Sequence, residues 1–513
     1  MATAYGPSIV TNGLVLALDA ANPKSILNTV EVLVVAGGGG GGTGGGGGGA
    51  GGLLYSSSYY VAPGTAITVT IGGGGAGNSA WGGSGANGSN SVFGALTAIG
   101  GGAGQHRAGS ASSGTGGSGG GGAGGSGVTN GVTLVMTNGT AGQGFAGGSS
   151  VCNGTTQEEP GGGGGGAGGK GADSIIPAST SAPSAQAALP GAGGTGLLYS
   201  ISGTPTYYAG GGGGSNRNGV GAAGGLGGGG AGGTSPVAGT ANTGGGGGGT
   251  GYAGYGGGGT SAAGGSGIVI VRYFGPARAT GGTITTVGGY TIHTFTSVGS
   301  TTFTPNATWS DLTRSGFNGT LTTSPTYDST NGGSFSFDGT SNYVNVGNVL
   351  SYNTIGQQLT ISVWIYPTRS TNFILGRATS NANYGHFSLF MDTGAVKFSY
   401  YNTVSGYGTY TIGNISNNVW SHIFISHTFG SSSSTISAIN GVQIGSWVSG
   451  GSAVSDYVSG TSFEIAHWYG TPTGTSTAYW FQGKISLVQI YNRSLTLNEG
   501  QQNFNALRGR YGI

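Results

Sequence analysis

Two short apolar runs frame the most unusual part of the chain. Val30-Glu31-Val32-Leu33-Val34-Val35 leads into it and Ile268-Val269-Ile270-Val271 leads out of it. Short apolar runs bounded by turn-forming residues predict buried strands. The stretch between them, Gly37 to Gly267, holds most of the 125 glycines, in unbroken runs such as Gly37–Gly42, Gly44–Gly49, Gly161–Gly166, Gly210–Gly214 and Gly244–Gly249. Glycine has no side chain to bury and loses the most backbone entropy on ordering. The stretch is therefore either a flexible tether or a packed array of extended polyglycine helices.

The pattern around the runs favours the ordered array. Structureless linkers of this length are uncommon inside compact chains. Ala66–Ile71 and Val132–Met136 have strand character, and aromatic anchors interrupt the glycines at Trp81, Phe145, Tyr207, Tyr208, Tyr252 and Tyr255. A polyproline-II-type helix turns every three residues, so a six- to nine-residue run would span roughly 20–28 Å. With no Cβ, such helices can lie side by side on every face, each N–H reaching a neighbour's carbonyl.

Outside this region the periodicity changes. Gly13–Asp19 reads as a lone buried strand, which needs a sheet supplied from elsewhere in the chain. Thr283–Val287 and Tyr290–Thr294 alternate at period two, predicting a small β connector. From Trp309 onward, strand-like segments recur every ten or so residues, among them Tyr343–Val346, Leu359–Tyr366, Trp420–Phe429, Ser462–Trp468 and Ile485–Tyr491. The pairs Asp338-Gly339, Thr393-Gly394 and Asn440-Gly441 punctuate them. Many short strands at regular spacing predict an all-β sandwich or jelly roll. One helix is predicted, opened by a capping box between Thr496 and Glu499.

Composition narrows the function. Charged residues are 5% of the 513, the formal net charge is +2, and the fourteen basic residues form no cluster. A nucleic-acid partner would require one. Cys152 is the only cysteine, which excludes an intrachain disulfide and cysteine-based zinc spacing. The first residues lack the pattern of a secretory signal, and no run reaches the eighteen or so apolar residues of a membrane helix. The expectation is a protein made in a cytoplasm, without membrane insertion, that meets the outside through cell lysis.

Several segments resemble known families. Asn12–Pro23 is similar to the opening strand of laminin-G/concanavalin-A-like jelly rolls of bacteriophage structural proteins. The same pattern resumes at Thr308–Leu312 and Phe317–Leu321. It continues through Phe335–Gly339 and Ile361–Ile365, and closes at Ile490–Leu495 and Gln501–Tyr511. Val30–Gly52 and Ile268–Tyr273 resemble the glycine-rich domains of phage tail fibres and adhesins. The resemblance implies a lectin-like jelly roll split by an inserted domain. Residues 1–26 would supply its first strand, 27–280 the glycine-rich domain, 281–307 the connector and 308–513 the remainder. It implies a virion surface protein (tail fibre, tail tip or decoration) that binds host-surface glycan or an outer-membrane receptor, alongside other virion proteins and as a homo-oligomer, trimer favoured. Asn342 stands where a second acidic residue is common, which weakens a calcium site, and no other cofactor is expected. Gly500 stands where an apolar residue is expected, which predicts loose docking of the last helix.

Candidate chemistry is sparse. Gly-x-Gly-x-x-Gly matches are unavoidable at this composition and carry no dinucleotide signal. Lys170 and Asp173 read as surface groups. Sugar hydrolysis needs two carboxyls across one bond, and the sandwich offers only Asp19, Asp311, Asp328, Asp338, Asp392, Asp456, Glu464 and Glu499, none at strand-pair spacing. Glu158 and Glu159 are adjacent and diverge, so no enzyme is expected. His422 and His427 lie at odd separation, on opposite faces of one strand, and cannot share a metal. Trp309, Trp364 and Trp420 read as core. The loop aromatics are better candidates, because rings beside hydroxyls and amides suit sugar faces. The carbohydrate-binding candidates are His467, Trp468, Tyr469, Tyr479, Tyr407 and Tyr410. The alternatives are a purely architectural virion component, its jelly roll used for oligomerisation, and an ice-binding protein.

Overall fold

The computed structural model describes the chain except for residues 1–7, 23, 80–82, 107–113, 124–132, 135–136, 152–159, 177–187, 252–258, 314, 348–357, 378–386, 403–405, 430–432, 450–461 and 469–479. Trp81, Cys152, Glu158, Glu159, Tyr252, Tyr255, Asp456, Tyr469 and Tyr479 therefore lie outside the described residues. The chain divides into two compact units. One comprises residues 1–28, 62–65 and 305–513, and the other residues 29–61 and 66–304.

In the glycine-rich unit the two bracketing strands meet. Thr29–Val35 pairs antiparallel with Ile268–Phe274, Val35 opposite Ile268 and Glu31 opposite Arg272. Leu53–Tyr60 flanks them on one side. On the other, Tyr290–Phe295 and then Thr283–Val287 complete five strands, so the residues expected to form a connector belong to this sheet. A second five-stranded sheet runs Ala279–Thr280, Gly299–Pro305, Ile67–Ile71, Ser91–Phe93 and Leu96–Ala98.

The glycine runs form a hydrogen-bonded lattice of period three. Gly37, Gly40 and Thr43 donate to the carbonyls of Ser89, Ala86 and Gly83. Gly38 and Gly41 donate to Gly265 and Ala262, and Gly39 and Gly42 to Gly49 and Gly46, all at 2.8–3.1 Å. Each third residue thus faces the same neighbour, as a helix of three residues per turn requires. Gly44 and Gly45, at φ 103° and 118°, reverse the chain into the next helix.

That helix, Gly46 to Gly52, has six neighbours. Gly47 and Ala50 donate to Gly162 and Gly165, Gly48 and Gly51 to Gly247 and Gly244, and Gly49 and Gly52 to Gly102 and Ile99. Its carbonyls accept from Gly42 and Gly39, from Gly121 and Ser118, and from Gly212. A Cβ added at Gly48 would stand 2.1 Å from the Gly39 carbonyl oxygen, and at Gly47 2.2 Å from that of Gly212. Only glycine permits this spacing at those positions, and the backbone satisfies itself without side chains.

The other unit is an antiparallel β-sandwich. Its first sheet runs Thr326–Asp328, Ser334–Asp338, Gln482–Tyr491, Gln358–Pro367, Ser421–Thr428, Ser433–Ile439 and Val442–Ser449. Leu14–Asp19 joins it by pairing with Gln482–Tyr491, Leu18 opposite Val488. The second sheet runs Thr308–Trp309, Gly319–Thr322, Tyr343–Gly347, Phe463–Ile465, Asn372–Arg377, Phe387–Asp392, Ala395–Asn402 and Gly406–Asn414. Alternate residues of both sheets, among them Leu16, Trp309, Phe335, Ile361, Leu389, Phe398, Ile423, Phe463 and Ile490, fill one core. Thr393-Gly394 and Asn440-Gly441 make two-residue turns with both φ positive, the geometry that suits the twist of a hairpin.

The outer face of the first sheet is also buried, beneath the helix Leu497–Tyr511. Thr496 Oγ1 accepts the Glu499 N–H while Glu499 accepts that of Thr496, completing the predicted capping box. The Tyr511 ring stacks on Trp364 at 4.0 Å between centroids, and Phe504 stacks on the same indole at 5.7 Å. The helix docks tightly, contrary to what Gly500 leads one to expect. Gly500 is buried, and a Cβ there would come within 2.8 Å of the Phe424 ring. The missing side chain is what lets the helix approach the sheet.

Candidate functional site

The aromatic patch on the second sheet of the sandwich is built from the strand Phe463–Ile465. Phe463 and Ile465 point into the core, so alternation places Glu464 on the opposite face. Its cross-strand neighbours there are Asn345 and Gly376. Beyond the strand, Ala466 adopts φ 69° while fully buried. Its N–H donates to Ile374 and its carbonyl accepts from Phe481, both at 2.8 Å. A left-handed non-glycine residue costs on the order of 1–3 kcal/mol and persists only where its surroundings fix it. The turn at Ala466 brings His467 back over its own strand.

His467 Nδ1 lies 2.6 Å from Glu464 Oε2, with the carboxylate side chain 4% exposed and the imidazole 16% exposed. An ionised carboxylate can only accept, and towards it Nδ1 is the donor of this bond. The imidazole packs on Trp480 at 4.1 Å and on Tyr343 at 5.0 Å, and Tyr343 meets Trp480 edge-on at 6.0 Å. Trp468 stacks on Phe373 at 6.1 Å with the planes 12° apart. Behind them Arg369 donates to the Trp480 carbonyl at 2.5 Å, and Asn372 Oδ1 accepts the Gln482 N–H at 2.8 Å. Tyr343, His467, Trp468 and Trp480 are each half-buried, so fixed rings present part of their surface.

The sequence candidates separate. His467 and Trp468 belong to this patch. Tyr410 lies on the other side of the sheet, packed against the core between Tyr400 at 5.8 Å and Trp447 at 5.3 Å. Tyr407 is described by its backbone alone, in Gly406–Asn414. The structure adds Tyr343, Phe373, Glu464 and Trp480 to the patch. Glu464 could have been found as a charged residue flanked by core residues in a chain with only twelve acids.

The other titratable groups are structural. Asp19 pairs with Arg510 and Asp392 with Lys397, while Asp311 accepts the Ala17 and Thr313 N–H groups. Burial alone would raise Asp328, but hydrogen bonds from Lys484 and Thr330 hold it at about 2. The bond from Arg493 holds Glu499 at about 2. The Asp338 carboxylate accepts from Thr340, Ser341 and Asn342 within its own turn. His422 and His427 are buried on opposite faces of Ser421–Thr428, one beside Trp364 and Phe504, the other beside Phe398 and Tyr400. Among the described residues no cluster of three or more His, Cys, Asp or Glu could hold a metal ion, and no helix is long and apolar enough to cross a membrane.

Comparison with known families agrees with both architectures. Residues 19–274 match the family model described as a glycine-rich domain, and residues 338–499 match the concanavalin A-like lectin/glucanases superfamily. The chain carries one domain of each kind. Similar solved structures include the binding domain of Paraclostridial Mosquitocidal Protein 1, at 16% identity over 38% of this chain and 49% of that one, TM-score 0.30. Another is domain 4 of an extracellular arabinanase from Geobacillus stearothermophilus in complex with arabinotriose, at 20% identity over 38% and 92%, TM-score 0.30. A third is a heptameric pentraxin from Limulus polyphemus, at 20% identity over 28% and 68%, TM-score 0.23. The chain spans about half the length of the first of these. No curated protein matches it.

Proposed function

We propose that this protein is a non-catalytic adhesin of a bacteriophage virion, carried on a tail fibre, tail tip or decoration, whose sandwich binds host cell-surface glycan. The observation that carries the glycan reading is the patch of Tyr343, His467, Trp468 and Trp480 over Glu464, in a domain matching the concanavalin A-like lectins and glucanases. Aromatic rings with fixed polar groups beside them suit the apolar faces and hydroxyls of sugars. Binding without catalysis is favoured by the engagement of Asp19, Asp311, Asp328, Asp338, Asp392 and Glu499 in structural bonds. That leaves Glu464 without a second carboxylate among the described residues at the patch. The virion setting rests on the resemblance of both domains to phage structural proteins, and release would follow lysis.

The test is binding of the purified chain to intact host cells and to a glycan array, beside Trp480→Ala and His467→Ala. Binding by the parent that both variants lose, with unchanged melting, supports the reading. A parent that binds neither cells nor glycans removes it.

One observation favours the architectural alternative. The sandwich edges Gly406–Asn414 and Val442–Ser449 are long and contain no charge or proline, where exposed edges are ordinarily protected. A homo-oligomer could form through them. Stable virion incorporation with a silent glycan array would decide for that role.

A further inference from the structure

Beside the aromatic patch the same face of the sheet carries an aligned row of hydroxyls. Phe387, Leu389, Phe398 and Tyr400 point into the core, so Ser388 and Ser399 point away from it. Strand register sets them in line: Gly376 is opposite Ser388, Ser388 opposite Ser399, and Ser399 opposite Thr409. Ser399 Oγ lies 3.0 Å from Thr409 Oγ1 and 3.2 Å from the Gly408 carbonyl, so the row is fixed by its own bonds. Ser388 is half-buried, Ser399 buried and Thr409 exposed. At the other end of the row Phe373 covers Gly376, where a Cβ would come within 2.9 Å of the ring, and Trp468 stacks on Phe373.

A second row runs beside the first. Phe373 is opposite Phe390, Phe390 opposite Lys397, and Lys397 opposite Thr411. The face thus has rings at one end and one line of small polar groups running perpendicular to the strands, beside a second line of Phe390, Lys397 and Thr411. From Gly376 to Thr409 is three strand spacings, about 14 Å, enough for about two to three sugar rings beyond the one at the patch. The basic groups nearby are already engaged: Lys397 pairs with Asp392 at 2.7 Å, and Arg369 donates to the Thr371 and Trp480 carbonyls.

We propose that the ligand is a neutral, linear oligosaccharide lying across the strands. One sugar stacks at Trp468, backed by buried Phe373, and the following sugars hydrogen-bond to Ser388 and Thr409, with buried Ser399 holding Thr409 in place. This rests on the glycan reading and adds chain length, direction and charge to it. A single terminal sugar would leave the hydroxyl row unused. A polyanion would need cations that this face has committed elsewhere.

The experiment is titration of the full chain with neutral gluco-, manno- and arabino-oligosaccharides of graded length, and with a sialylated trisaccharide. In at least one neutral series affinity rises about tenfold or more from disaccharide to tetrasaccharide, then levels off. Thr409→Trp, at an exposed position, abolishes that rise with melting as in the parent, and Ser388→Ala with Thr409→Ala reduces it. Equal affinity for every length, or a Thr409→Trp variant that keeps the rise, overturns the extended ligand and leaves glycan binding standing. Preference for the sialylated probe overturns its neutrality. Failure to bind any sugar overturns the glycan reading itself.

Discussion

The guanidinium of Arg510 holds the carboxylate of Asp19 at 2.8 Å, although the two residues stand 491 positions apart. Arg510 also donates to the carbonyls of Asn331 and Gly333. One residue of the terminal helix therefore clamps the first strand and the turn before Ser334–Asp338. Arg510→Ala leaves several acceptors short of a donor and should destabilise the sandwich by about 1–3 kcal/mol. Asp19→Asn removes only the charge of a partly exposed pair and should cost less than about 1 kcal/mol. Urea unfolding followed by tryptophan fluorescence checks the order, since six of the seven tryptophans lie in this unit.

Gly500→Ala opposes two effects of known size. Alanine improves an isolated helix by about 1 kcal/mol over glycine. Against the Phe424 ring the new methyl overpacks the interface, at about 1–3 kcal/mol. The expected net result is a lower melting temperature. Gly509→Ala, where nothing lies within 4 Å, should raise it.

The glycine lattice predicts strong dependence on position. At Gly74 a Cβ would stand 1.9 Å from the Gly264 carbonyl oxygen, whereas at Gly73 the nearest atom is 3.6 Å away. Gly74→Ala should disrupt the local lattice and Gly73→Ala should leave stability within about 0.5 kcal/mol. Amide exchange separates them. The N–H groups of Gly47 to Gly52, all bonded to neighbouring helices, should be strongly protected in the parent.

Acid should weaken the sandwich before its carboxylates titrate. Burial pushes His422 and His427 down to about 3, from an ordinary value of 6.5. The unfolded chain then binds more protons than the folded chain at any pH between those values. The stability that these neutral rings contribute is complete above pH 6.5 and is lost as the pH falls toward 3. The slope approaches about 1.4 kcal/mol per pH unit for each ring. Urea midpoints measured from pH 7 to 5 should decline, and more shallowly in His427→Phe if that variant keeps its midpoint near pH 7.

Local signals in the sequence carried most of the architecture. The bracketing strands Val30–Val35 and Ile268–Val271 pair because each is apolar enough to need burial, and the period-three lattice follows from glycine's missing side chain. The Thr496 cap and the Asn440-Gly441 turn depend on neighbours within four residues, and Trp309, Trp364 and Trp420 are buried as their apolar surface dictates. The site was legible only in part. His467 and Trp468 stood out as aromatics beside a loop, but Tyr343 and Phe373 join them through strand register, which no local pattern encodes. Tyr410 reads like the others and faces the opposite way. Gly500 misled because its role is set by Phe424, a residue on a different element.

Leu14–Asp19 finds its partner in Gln482–Tyr491. A ribosome releases the first of these strands long before it has made the second. The glycine-rich unit, whose residues all lie between, can therefore settle during translation, whereas the sandwich must wait until the nascent chain is nearly finished. Premature termination between residues 305 and 482 would yield a completed glycine lattice attached to a sandwich that cannot close.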